Sequence, residues 1–230
     1  YNEQWYIRKI QANDAWGLWW GSTPGDTDVL VGVVDTGVDY EHPELSDVMY
    51  INPGEDINHD EQFTSADING VDDDGNGYVD DVRGWDFADN NNDIRPPSSG
   101  VDDALSHGTH CSGIIGAMGD NNEGIVGVAF RVKIIGTKNT YDSDSTNSNP
   151  SIVNGYDAIL YTAKLGAKFI NCSWGSIFMS SYEQSILDDV SDNYGAIVIG
   201  AAGNDNHSND GFGRAQYPAD YSKCISVAAT

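Results

Sequence analysis

Residues 29–37 read Val-Leu-Val-Gly-Val-Val-Asp-Thr-Gly. The run is apolar almost without interruption to Val34, then meets Asp35 and a glycine turn. Continuous rather than alternating apolarity suits a strand buried on both faces, the habit of parallel sheets. In such sheets functional groups gather at the carboxyl ends of the strands. Asp35 is therefore a candidate functional carboxylate. The plain alternative is an Asp that closes a turn.

Four further runs of the same kind lie at 132–135, 168–172, 196–201 and 225–228. Between them, 151–165 and 180–194 carry helical patterns, with Ser151 placed as an N-cap and Gly166 and Gly195 as C-terminal stops. Strands alternating with helices predict an α/β fold, a three-layer sandwich with a mainly parallel sheet flanked by helices. A chain of 230 residues, 39% hydrophobic, buries one substantial core, so residues 1–230 are read as one domain. One stretch breaks the rhythm. Residues 52–103 are rich in Asp, Asn, Gly and Pro and are expected to form a long acidic loop insertion. The run at 225–228 has nothing after it to cover a sheet edge, and the domain is expected to continue past residue 230.

The formal charge is −25, from 36 acidic residues against 11 Lys plus Arg. Such a surface repels nucleic acid and anionic membranes, and neither is expected as a partner. No apolar run approaches the length of a membrane span. The three cysteines, Cys111, Cys172 and Cys224, are widely spaced and form no metal-binding pair motif. Buried thiols are the simplest reading, and a disulfide between two of them stays open.

Residues 106–113 read Ser-His-Gly-Thr-His-Cys-Ser-Gly, followed by an apolar pair. Small residues after His107 predict a helix that starts near the histidine and packs closely on a neighbour through Gly108, Ser112 and Gly113. That arrangement holds one ring nitrogen by the backbone side and frees the other toward a cleft. His110, one turn on, reads as a structural histidine. Residues 197–205 read Ile-Val-Ile-Gly-Ala-Ala-Gly-Asn-Asp, a strand ending in Asn204. A side-chain amide there can donate to a developing oxyanion, and an ordinary Gly-Asn turn is the alternative.

In this order and on these elements the three segments resemble the subtilase family. Further segments extend the resemblance from Trp5 to Thr230: 37–45 (GVDYEHPEL), 124–129 (GIVGVA), 169–175 (FINCSWG) and Tyr217-Pro-Ala219. The resemblance implies a serine endopeptidase acting on polypeptide substrates by acyl transfer. Asp35 would orient His107, and His107 would take the proton of a serine hydroxyl and return it to the leaving amine. Asn204 would donate to the oxyanion. Ser173, Trp174 and Gly175 would wall the substrate cleft and pair with extended substrate through the main chain. The family's nucleophile lies in a Gly-Thr-Ser segment, and the sequence contains none. The serine is expected beyond residue 230, on a C-terminal remainder of the same domain, and this chain alone would be inactive. Without that serine the same residues describe a calcium-stabilised scaffold module. Cys111, four residues after His107, falls on the same helix face and reads as a small buried side chain.

Within the insertion, five Asp crowd residues 72–81 (DDDGNGYVDD). Asp72, Asp74, Asn76, Gly77 and Tyr78 match positions 1, 3, 5, 6 and 7 of an EF-hand-like loop. Arg83 stands where the closing Glu would be, so Asp80 or Asp81 is expected to complete the shell. The expected cofactor is Ca2+. The family resemblance implies a second calcium site at Glu44 and the loop 119–125, with Asn121 as its side-chain ligand, Asp120 a weaker candidate, and Glu123 and Ile125 in the same loop. It also implies a secreted protein.

Overall fold

The structure, a computed structural model, describes residues 4–18, 26–97, 104–145, 150–204, 208–209 and 214–228. Two short helices, α1 (Trp5–Lys9) and α2 (Ala12–Gly17), precede strand β1 (Leu30–Asp35). Then follow β2 (Gly84–Asp86), α3 (His107–Gly116), β3 (Lys133–Lys138), α4 (Gly155–Lys164), β4 (Phe169–Cys172), α5 (Ser181–Asn193), β5 (Ile197–Ala201) and β6 (Cys224–Val227). The strands form one parallel sheet in the order β2-β3-β1-β4-β5-β6. All their carboxyl ends therefore lie along one edge.

Alternate residues of the buried strands feed two cores. On one face Val34, Ile135, Ile170, Cys172 and Val198 pack against Ala158, Ile159 and Tyr161 of α4 and Ile186, Leu187 and Val190 of α5. On the other, Val33 and Ile134 pack with Leu45, Met49 and Ile94, and with Cys111 and Ile115 of α3. The result is the three-layer α/β sandwich expected. Beyond the reach of α3 this second face is open: Phe169, Ile197, Ile225 and Val227, which share it by register, are exposed.

Three local expectations are corrected. The insertion is not wholly loop, because Gly84–Asp86 pairs with Gly136–Lys138 as an edge strand. Gly84 has φ +123° and lies so close to the Gly136 carbonyl that no side chain fits. The strand at 132–135 runs on through buried Gly136, Thr137 and Lys138 to the site. Ser151 is not the N-cap of the following helix. The chain before the helix is tied to the end of β3, Val153 N–H donating to Asn139 O at 2.8 Å, and the helix begins after Asn154, which has φ 52°. The stops at Gly166 and Gly195 hold, with φ of +100° and +64°. All three cysteines are free thiols. No helix among the described residues is long and apolar enough to cross a membrane.

Candidate active site

β1 delivers Asp35 to the carboxyl edge of the sheet, and α3 begins with His107 directly over it. Asp35 is 1% exposed; the His107 side chain is 44% exposed, and its Nδ1 lies 2.7 Å from Asp35 Oδ1. Asp35 Oδ1 also accepts the Thr36 N–H at 2.7 Å. Thr36 Oγ1 in turn donates to Leu105 O and accepts the Gly108 N–H, tying the strand end to the helix start. Close approach depends on Gly108: a Cβ there would strike the Gly37 carbonyl and stand 2.9 Å from Asp35 Cβ. Ser112 Oγ is committed to Gly108 O at 2.8 Å, so the helix packs through the small residues expected.

The carboxylate fixes Nδ1 as the protonated nitrogen and leaves Nε2 toward solvent. The hydrogen bond that His107 donates to Asp35, helped by the Cys111 contact, raises the His107 pKa to about 10, against a smaller opposing effect of burial. Cys111 Sγ stands 3.8 and 3.9 Å from the two ring nitrogens; half-buried, it packs against the second core while touching the imidazole. His110 is exposed.

His107 opens on a cleft of about 980 Å³. It is lined by Ser173, Trp174 and Gly175, which follow β4, and by Ile152 and Asn154–Asp157 at the start of α4. Trp174 is fixed by its indole N–H on Val34 O at 2.8 Å and by packing on Gly155 and Tyr156. Tyr217 bridges Ser176 through two backbone hydrogen bonds, which sets Gln216 against Gly175 and Gly203 at the cleft end. No sequence motif points to Gln216. Asn204 lies exposed just past β5, on the same edge of the sheet, but is not among the residues lining the cleft.

The acidic insertion folds into a tight web. Asp72 accepts the Asn76 and Gly77 N–H groups, and Asp74 accepts Asn76 N–H. The Asn52 and Asn76 side-chain amides each donate to both Asp74 and Asp81. Asp74 and Asp81 meet Glu55, a residue far upstream, with ligand atoms within 4.8 Å of one another. Glu55 is 0% exposed, and one oxygen, Oε2, has no hydrogen-bond partner among the described residues. Burial raises its pKa to about 7. An orphaned, buried carboxylate oxygen among two further carboxylates is the donor chemistry of a hard cation. Asp80 does not join them. With φ +55° its carboxylate turns back onto the Asn69 and Gly70 N–H groups. The Tyr78 side chain packs into the aromatic cluster of Trp85, Phe87 and Tyr161.

At the other expected metal position, buried Glu44 accepts Asn121 Nδ2 and the Ile125 N–H, each at 3.1 Å. Gln4 lies alongside, its amide paired to both backbone groups of Val126. Exposed Glu123 reaches Asn121 only through its backbone N–H, and Asp120 is an exposed turn residue with φ +65°.

A buried carboxylate thus orients a half-exposed imidazole at the carboxyl edge of a parallel sheet, beside a cleft. The model of the subtilase family matches residues 26–230, and the chain belongs to that family. It is 31% identical over 229 residues to thermitase of Thermoactinomyces vulgaris, spanning 100% of this chain and 63% of thermitase. It is 31% identical over 211 residues to a thermophilic serine proteinase of Bacillus sp. strain AK1, covering 91% of this chain and 40% of that protein. The crystal structure of fervidolysin from Fervidobacterium pennivorans superposes with a TM-score of 0.61 at 24% identity, over 98% of this chain and 27% of fervidolysin, a likeness of fold. The chain thus spans less than two thirds of these relatives.

Proposed function

We propose that the protein is a serine endopeptidase acting by acyl transfer, with Asp35 and His107 as two members of its triad. The carrying observation is the 2.7 Å pairing of His107 Nδ1 with buried Asp35, which leaves Nε2 facing the cleft. His107 in its neutral form accepts the nucleophile's proton at Nε2, Asp35 stabilises the imidazolium that results, and the proton passes to the leaving amine, so turnover should rise as pH approaches the raised His107 titration. Ser173–Gly175 bind an extended polypeptide along the cleft, and Asn204 donates to the oxyanion. No serine of this sequence follows Gly-Thr, and in this reading a C-terminal remainder of the domain would supply the nucleophile. The open apolar face of β4, β5 and β6, with Phe169, Ile197, Ile225 and Val227 exposed, supports a further element packing there. The name of the Bacillus relative, a serine proteinase, favours the same reading.

Ca2+ is the proposed structural cofactor. Glu55, Asp74 and Asp81, with Asp72 and Asn76 beside them, would hold one ion. Glu44, Asn121 and the 119–125 loop would hold another. Bound calcium would neutralise carboxylates that otherwise repel and so favour the folded state. A secreted location accords with calcium use and the strongly acidic surface.

The test is hydrolysis of a peptide amide by the full-length protein. His107→Ala should cost on the order of 10⁶ in kcat and Asp35→Ala on the order of 10⁴, the sizes found when triad members are removed. Unchanged turnover in His107→Ala would refute the reading.

A further inference from the structure

A second group of carboxylates, Asp86, Asp89 and Asp142, also brings ligand atoms within 4.8 Å of one another. It differs from the Glu55 group in one respect. Lys138, 1% exposed, places its Nζ 2.7 Å from Asp86 Oδ2, 3.4 Å from Asp89 Oδ2 and 2.6 Å from Asp142 Oδ1. We propose that Lys138 is a built-in cation filling what would otherwise be a divalent-metal site, so that this cluster takes no calcium.

The geometry is that of a coordination shell with an ammonium at its centre. Asp86 is 0% exposed, and the remaining capacity of these carboxylates is met by neutral donors. Asp86 accepts the Ala88 and Asp89 N–H groups and the Asn91 amide, and Asp89 accepts the Asp142 N–H at 2.8 Å. Burial would lower the Lys138 pKa, but its bonds to Asp142 and Asp86 outweigh that, and the shift is upward. The ammonium stays charged. A metal ion cannot share the space with it, since like charges a few ångströms apart in a buried site repel strongly. Around Glu55, Asp74 and Asp81 the described donors are amides, a phenol and backbone N–H groups, with no cation among them. The two acidic clusters are thus opposite solutions to one electrostatic problem.

The device has a place in the site. Lys138 stands in register with Asp35 on one side and Asp86 on the other. Its bond to Asp142 holds the short turn that follows β3. The β3 side of the site is therefore held without metal.

Calcium counting on the full-length protein by equilibrium dialysis tests this, and counts are compared with the parent protein, so the result does not depend on how many ions the other sites hold or on peptidase activity. Lys138→Ala removes the charge and opens the space. It should bind one ion more than the parent, and its melting temperature should respond to calcium more steeply. Adding Asp86→Asn and Asp142→Asn should abolish the extra ion. In the parent background, Asp142→Asn alone should leave the count unchanged. That second variant alters a carboxylate 63% exposed and should fold readily. A folded Lys138→Ala with the parental count, or loss of an ion in Asp142→Asn, would overturn the proposal.

Discussion

His107 Nδ1 lies 2.7 Å from Asp35 Oδ1, the imidazole half-exposed and the carboxylate sealed. The pairing raises the folded-state pKa of His107, first through the Asp35 hydrogen bond, to about 10 from an ordinary 6.5. A raised pKa stabilises the fold fully below the unfolded value and loses that contribution as pH climbs through the folded value. Asp35→Asn should therefore bring the His107 titration, followed by NMR of its ring proton, back toward 6.5. The stability gap between parent and variant should be widest below about pH 6.5 and close toward pH 10.

Gly108 is where α3 touches the strand end. Gly108→Ala pushes a methyl into the Gly37 carbonyl and toward Asp35 Cβ. Chemical denaturation should show a loss of about 1–3 kcal/mol. The displaced helix should also shift the His107 ring-proton resonance.

Calcium should bind where Glu55, Asp74 and Asp81 meet. Excess EGTA should lower the melting temperature, by the equivalent of about 2.7 kcal/mol for a site held at a hundredfold its Kd. Glu55→Gln should weaken binding in calorimetric titration. Asp80→Asn should not, because Asp80 serves the Asn69 and Gly70 amides. A melting curve indifferent to EGTA would remove both calcium assignments.

Tyr161 donates its hydroxyl to Asp81 at 2.6 Å from the buried face of α4. Tyr161→Phe strips that donor from a buried carboxylate. It should destabilise the calcium-free protein by about 1–3 kcal/mol in urea melts, and less so with calcium added, since an ion held there would itself compensate the Asp81 carboxylate.

The sheet is legible in the sequence because its strands are apolar on both faces, as at Val31–Val34 and Phe169–Ile170. The edge strand at Gly84–Asp86 is not, since three residues carry no period and lie in acidic loop sequence. Asp35 and His107 are legible from motif and position together. Glu55 is hidden because its partners are brought to it by tertiary folding, and nothing local marks a lone Glu as buried. Asp80 looks equivalent to Asp81 until the backbone conformation at Asp80 sends the two carboxylates apart. Lys138 has the look of a strand's polar end, although a Lys buried at a sheet's carboxyl edge must have anionic partners.

In the proposed mechanism the Asp35–His107 pair activates a serine. A fluorophosphonate probe on the full-length protein, with the labelled peptide mapped by mass spectrometry, reads that activation out. Labelling of a serine beyond residue 230, lost in His107→Ala, is the result predicted. A folded full-length protein that takes no label at any serine would contradict it.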